Sequence, residues 1–345
     1  MGAPEVPLAP PEPVTAKPAG SEPAFPHGGP RPAPSTAKVI AAFAAVYILW
    51  GSTYLAIRFA VATLPPFLMA GTRHLIAGAV LYPLARLRSR EQPSRANWSA
   101  AALMGALLLF GGNGSVSWAE QHVPSGVTAL LVASVSLWMV LIDWLRPGGV
   151  RPTGRVVAGL VLGFSGVAFL VGPSKLAGSG RVDVAGAAVL LLAALSWATG
   201  SVFSRRLPLP RAPLLGTAME CLAGGSLLIV VGLLTGQGAQ LNWNAVSLRS
   251  VLALGYLVVF GSLLGFSAYT WLLAHASPAR VGTYAYINPV VAVILGWALA
   301  GEQITLRMLA ATAVIIAGVV LVITARQRAT APLETPVAAP EKAQV

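Results

Sequence analysis

Residues 38–57 read KVIAAFAAVYILWGSTYLAI, a run whose only charge is Lys38 at its first position. At about 1.5 Å per residue, a helix of that length spans about 30 Å, the thickness of a lipid hydrocarbon core. Similar runs recur near 66–86, 97–117, 125–143, 154–172, 184–204, 213–234, 250–272, 279–300 and 305–325. Pro65-Pro66, Pro124-Ser125, Ala212-Pro213 and Ser277-Pro278 stand at expected helix starts, where proline's missing N–H leaves no bond unmade. The pattern predicts an all-α integral membrane protein with about ten transmembrane helices.

Composition agrees with that solvent. Apolar residues are 56% of the chain, charged residues 10%, and the mean hydropathy is +0.73, whereas a soluble domain carries roughly 25% charged residues. The net charge of +12 is dispersed in short clusters between apolar runs rather than gathered on one face, which argues against a nucleic-acid partner. The one cysteine, Cys221, lies inside an apolar run, so neither a disulfide framework nor a cysteine metal site is expected. No cofactor is expected. The Pro-, Ala- and Glu-rich residues 1–37 read as a disordered tail and 326–345 as a second one.

The charge clusters also orient the chain. Arg86, Arg88, Arg90 and Arg95 lie between the second and third runs, Arg146, Arg151 and Arg155 between the fourth and fifth, and Arg205, Arg206 and Arg211 after the sixth. With an even number of crossings these clusters share a side with Arg31, Lys38, Arg326 and Arg328. The other side has scattered cations, Arg58, Lys175, Arg181, Arg249 and Arg307. By the positive-inside rule, both termini of a multi-pass inner-membrane protein are expected in the cytoplasm.

The two halves repeat. Trp50, Arg58, Pro66 and Arg73 match Trp197, Arg205, Pro213 and Glu220 at an offset of 147. Trp118 and His122 match Trp271 and His275 at 153, and Arg155 and Gly166 match Arg307 and Gly318 at 152. Residues 38–172 and 184–325 therefore form two five-helix repeats joined by a linker at 173–183. Five is odd, so the second repeat enters the membrane inverted. Inverted repeats are a recurring plan of secondary transporters, with the site near the midplane between the halves, the plain alternative being a duplication kept only for stability.

Tyr47-Ile48-Leu49-Trp50-Gly51-Ser52-Thr53-Tyr54, Pro65-Pro66, Arg73, Tyr284-Ala285-Tyr286-Ile287-Asn288-Pro289-Val290 and Gly301-Glu302 resemble EamA-type members of the drug/metabolite transporter superfamily. Gly112-Asn113-Gly114, Glu120 through Gly126 and Ser196 through Ser201 are similar to its YedA-like branch. The resemblance covers about 38–325 and implies ten helices in two inverted repeats and export across a bacterial cytoplasmic membrane, without naming a substrate. One position departs from the expected pattern: Ser136 stands opposite Pro289 of the second repeat. A proline there would remove a backbone hydrogen bond, so the fourth helix is expected to be straighter than the ninth.

Ionisable side chains within lipid cost several kcal/mol unless paired or hydrated, which makes each a functional candidate. Arg73 and Glu220 enter from opposite sides, each about seven residues into its helix, or roughly 10 Å deep. Either they meet at a central site, Arg73 holding an anion and Glu220 a cation or proton, or they form a structural pair. Glu120, beside His122 near the outer face, is a second proton-coupling candidate, with a wet loop group as the plain alternative. Asp143 beside Arg146 reads as an interfacial ion pair, and His74 as packing.

The expected substrate-binding residues are Trp50, Ser52, Arg73, Asn113, Trp118, Trp197, Glu220, Tyr269, Tyr284, Tyr286 and Asn288. Trp and Tyr stack on flat or cationic groups, and Tyr284, Tyr286 and Asn288 precede Pro289, which frees a backbone carbonyl nearby. Trp98, Trp144 and Trp271 read as interfacial anchors. An enzyme built on His74, His122, Ser115 and Ser117 lacks a metal motif, phosphate loop or nucleophile elbow. A channel or a lipid-carrier flippase is the alternative to a soluble-metabolite exporter. The expected partners are a small-molecule substrate and membrane lipid, with a homodimer left open.

Overall fold

The computed structural model describes residues 35–149, 151–172, 182–276 and 278–330. Ten helices follow in order: α1 (Thr36–Ala60), α2 (Pro66–Ser89), α3 (Arg95–Ala119), α4 (Ser125–Leu145) and α5 (Gly154–Val171), then α6 (Val184–Phe203), α7 (Pro213–Leu234), α8 (Leu248–Leu273), α9 (Tyr284–Ala300) and α10 (Leu306–Thr330). Among the described residues nine are long and apolar enough to cross a membrane, and α9 is the shorter tenth at 17 residues. The described residues contain no strand. Lipid offers the backbone no partner, so each crossing must satisfy its own N–H and C=O groups, and a helix does so within one segment.

Three expected borders move, one of them in the ninth run, where Pro278 starts only a short helix (Pro278–Val281) and α9 begins at Tyr284 rather than 279. Residues Thr36 and Ala37, read as tail, begin α1, and α10 continues to Thr330 rather than ending near 325. Residues 1–34 and 331–345 of the expected tails and residues 173–181 of the linker lie outside the described residues. Several helix starts follow from local sequence. Pro66 and Pro213 occupy the first position of α2 and α7. Ser94 and Asn97 form a reciprocal capping box on α3, and Ser247 accepts from the Ser250 N–H on α8, satisfying donors a helix start leaves free.

The packing follows the repeat. α2 lies along α7 and α5 along α10, while α1 packs on α9 and α6 on α4. Each of these pairs maps onto another, or onto itself reversed, when the halves are exchanged. Small residues permit the close crossings: a Cβ added at Gly105 of α3 would sit 2.6 Å from the Gly224 nitrogen of α7, and one at Gly318 of α10 would sit 2.5 Å from the Gly163 nitrogen of α5. Leu87, Leu192, Leu233, Leu234 and Trp297 project from the bundle, where acyl chains would cover them.

Two departures from regular helix matter for the site. α3 and α8 each contain a π-helical stretch, Gly105–Gly114 and Leu257–Leu264, at equivalent places in the two repeats. Such stretches shift the hydrogen-bond ladder by one residue and expose carbonyls that a regular helix would use. In addition, α4 breaks at Ala133-Ser134, whereas Pro289 sits inside an unbroken α9. The expectation of a straighter fourth helix is therefore corrected. The Ser134 hydroxyl donates to the Leu131 carbonyl at 2.6 Å, and the Ser134 and Ser136 N–H groups reach back only three residues, so a serine turn breaks the helix without a proline.

Candidate functional site

A cavity of about 670 Å³ lies between the repeats. Its floor is formed by Trp50, Thr53 and Tyr54 of α1, Arg73 of α2 and Asn113 of α3, with Trp197 of α6, Tyr269 of α8 and Asn288 of α9 opposite. It continues along α4 past Ser136 and Met139 to Asp143 and Arg151, at the end of the bundle that carries the basic loops. Asp143 and Arg146 form the expected ion pair there, at 2.7 Å.

Arg73 is the cation on this floor, and it is 4% exposed. Its Nε donates to Ser262 Oγ at 3.0 Å and its Nη1 to Asn113 Oδ1 at 3.3 Å. Ser262 and Asn113 come from the two π-helical stretches, one from each repeat. No carboxylate bonds to Arg73 among the described residues. Two neutral acceptors do not offset the charge of a guanidinium, and they leave it a donor edge for a ligand.

Beside it stands an aromatic wall. The Trp50 ring meets Tyr269 at 5.0 Å, Tyr284 at 5.2 Å and Phe266 at 6.0 Å. The Trp50 indole N–H donates to the Gly261 carbonyl at 3.1 Å, within the π stretch of α8. Ser196, next to Trp197 on α6, donates to the Leu107 carbonyl at 2.8 Å, within the π stretch of α3. So the first helix of each repeat is tied to a π-helical carbonyl of the other. Asn288 is 6% exposed, and its Oδ1 is buried without a hydrogen-bond partner. It offers an acceptor to a ligand N–H or O–H.

Of the expected binding residues, Trp50, Arg73, Asn113, Trp197, Tyr269, Tyr284 and Asn288 line this one cavity. The others lie elsewhere. Ser52 bonds to the Leu49 carbonyl and to the Tyr256 hydroxyl at 2.7 Å. Trp118 packs on His122, and Tyr286 is outside the lining. Glu220 also lies outside it and forms no salt bridge with Arg73, so the expected meeting of those two side chains is not found. His74 is fully buried, and neither ring nitrogen has a partner. Ser262 was missed because a lone serine in an apolar run carries no signal until α8 is seen to face α2.

Glu120 is 3% exposed, and neither carboxylate oxygen has a hydrogen-bond partner, so the wet-loop alternative does not describe it. His122, two residues on, is exposed.

A bundle of apolar helices in two repeats around a cavity with a buried cation is the plan expected of a membrane transporter. The EamA-like transporter family model matches residues 37–172 and 184–324, and the chain belongs to that family. It is 40% identical over 279 residues to the Escherichia coli K12 "Uncharacterized inner membrane transporter YedA", covering 81% of this chain and 88% of that one. The Bacillus subtilis "Uncharacterized transporter YvbV" is 27% identical, over 80% of this chain and 88% of its own. A solved structure titled only "Crystal structure of protein" superposes with a TM-score of 0.58 at 23% identity, over 86% of this chain and all of that one. That likeness concerns the fold alone.

Proposed function

We propose that this membrane transporter is a secondary exporter of a small organic anion, working by alternating access across the bacterial inner membrane with both termini in the cytoplasm. The observation that carries the reading is Arg73, held by one acceptor from each repeat in a cavity with no carboxylate bonded to it. An uncompensated charge away from water is costly, so a bound anion is the natural partner. Movement of one repeat against the other would change both hydrogen bonds to Arg73, linking the occupied site to the gating motion. Trp50, Tyr269, Tyr284 and Phe266 give the anion's organic part a flat apolar surface. The inner-membrane placement is supported by the relative from E. coli, and the orientation by the arginine-rich loops.

The test is flux in proteoliposomes across aromatic and aliphatic carboxylates, sugars and cationic drugs, with and without a pH gradient. Carboxylate flux that is lost in Arg73→Met is the expected result. Cation flux that survives Arg73→Met would overturn the anion assignment. Translocation of a lipid-linked anion alone would turn the same cavity into that of a flippase.

A further inference from the structure

At the end of the bundle opposite the basic loops, one carboxylate joins three segments. α9 ends at Gly301, whose φ of +66° reverses the chain so that the Glu302 N–H returns to the Gly296 carbonyl at 3.0 Å. The reversal aims the Glu302 side chain across the bundle. Its Oε1 accepts from the Ser125 N–H at 2.8 Å and the Ser125 hydroxyl at 2.7 Å, and its Oε2 accepts from the Gly126 N–H at 3.0 Å. Arg58, at the end of α1, reaches the same Oε1 at 3.1 Å. One side chain thus joins the end of α1, the start of α4 and the α9–α10 turn. Its partner Arg58 lies one helical turn beyond Tyr54 and next to Ile57 on α1, and both of those line the cavity. Gly296 makes the contact possible, since a Cβ there would stand 2.6 Å from Glu302 Oε2.

The other end has a left-handed glycine at the matching place, in a different turn whose Gly149 N–H returns to the Arg146 carbonyl, and no carboxylate. Gly148, with φ +72°, stands 153 positions before Gly301, and Gly149 takes the place of Glu302. That is the end toward which the cavity extends.

Glu120 sits beside this junction. The charged and titratable groups around it are Arg58 and Tyr54 of α1, Arg73 of α2 and Glu302 of the α9–α10 turn. His122, on its own turn, points out to solvent. Burial pushes the Glu120 carboxyl well above the usual carboxylate range, the negative charge of Glu302 pushes the same way, and Arg58 and Arg73 oppose them.

We infer that Glu302 is a latch closing this end of the bundle, and that a proton on Glu120 is required for the latch to close. The inference rests on the alternating-access reading. With the latch closed, Glu120 is enclosed beside a second carboxylate, and an ionised form has at most the backbone N–H of Arg58 to set against burial and the charge of Glu302. With the latch open, water reaches it and Arg58 is released from Glu302. The closed state therefore binds the proton more tightly. Closure is favoured at low pH and is lost as pH rises through the raised Glu120 value, the closed-to-open ratio falling by at most about tenfold per pH unit for one proton. Each closure from this side then carries one proton inward as far as Glu120, from where release toward Arg73 and the cavity would complete its crossing.

The test is the distance between spin labels on Gln121→Cys and Gln303→Cys, both exposed positions flanking the latch, in a Cys221→Ala chain reconstituted in lipid. The expected result is one short distance at pH 5.5 and a longer population that grows toward pH 8.5. Glu120→Gln should stay short throughout, while Glu302→Gln and Gly296→Ala should show the longer distance at every pH. Glu120→Gln following pH as the parent does would remove Glu120 from the switch. Short distances in both Glu302→Gln and Gly296→Ala would remove the latch. Because the measurement needs no substrate, Arg73-dependent flux with unresponsive distances would sink the latch while leaving the transport reading standing. Responsive distances without any flux would do the reverse.

Discussion

Replacing Ser262 by alanine leaves the charge of Arg73, the cavity volume and the aromatic wall in place, and removes only the 3.0 Å bond to Nε. Ser262 is fully buried, so no bulk water replaces the lost hydroxyl. A hydrogen bond to a charged group contributes about 1.5–3 kcal/mol. The other tether, Asn113 Oδ1 at 3.3 Å, is longer and cannot by itself fix the plane of the guanidinium. If the anion is read by the free edge of that plane, the loss falls on substrate affinity, and at about 1.4 kcal/mol per decade it raises KM by about 10- to 100-fold. Asn113→Ala should cost less, about tenfold or below, because its bond is the weaker one. The assay is initial-rate uptake of the best carboxylate from the flux screen, with Ser262→Thr as the variant that keeps the hydroxyl. An unchanged KM in Ser262→Ala would refute the claim that Arg73 is oriented from the second repeat. So would an equal loss for a neutral substrate of the same shape, since that would report general collapse of the cavity.

Gly105→Ala drives a methyl against the α7 backbone at Gly224, where nothing can yield. It should destabilise the protein by about 1–3 kcal/mol, read as a lower Tm in detergent, while Gly255→Ala, with open space around it, stays near the parent. Arg307 donates to the Phe169 carbonyl at 2.8 and 2.7 Å and also to the Gly172 carbonyl, covering the last carbonyls of α5. Arg307→Met should lower Tm without changing KM, because Arg307 is outside the cavity lining. Glu220→Gln should keep Arg73-dependent flux and its pH response, since Glu220 neither lines the cavity nor bonds to Arg73; loss of the pH response there would move proton coupling from Glu120 to Glu220.

The membrane fold was legible in the chain because its determinants are local. A run such as 38–57 must be helical in lipid whatever surrounds it, and the offsets linking Trp50 to Trp197 and Trp118 to Trp271 already carried the duplication. The cavity was legible in part: aromatic and amide residues near the middle of apolar runs are costly unless they face something polar, and seven of the eleven expected binding residues line it. Depth along a helix can be read from sequence, but the face a side chain presents depends on which helix packs where. Arg73 and Glu220 illustrate this, since they occupy matching repeat positions and yet only one reaches the cavity. The π-helical stretches of α3 and α8 rotate Asn113 and Ser262 toward Arg73, a rotation invisible in an apolar run. Glu302 read as one residue of a motif, and only the turn at Gly301 shows it reaching across 177 positions of chain to Ser125. Charge and hydropathy fixed which segments enter the membrane, and tertiary packing decided which buried charges meet, because a hydrogen bond needs partners within about 3 Å whatever their separation in sequence.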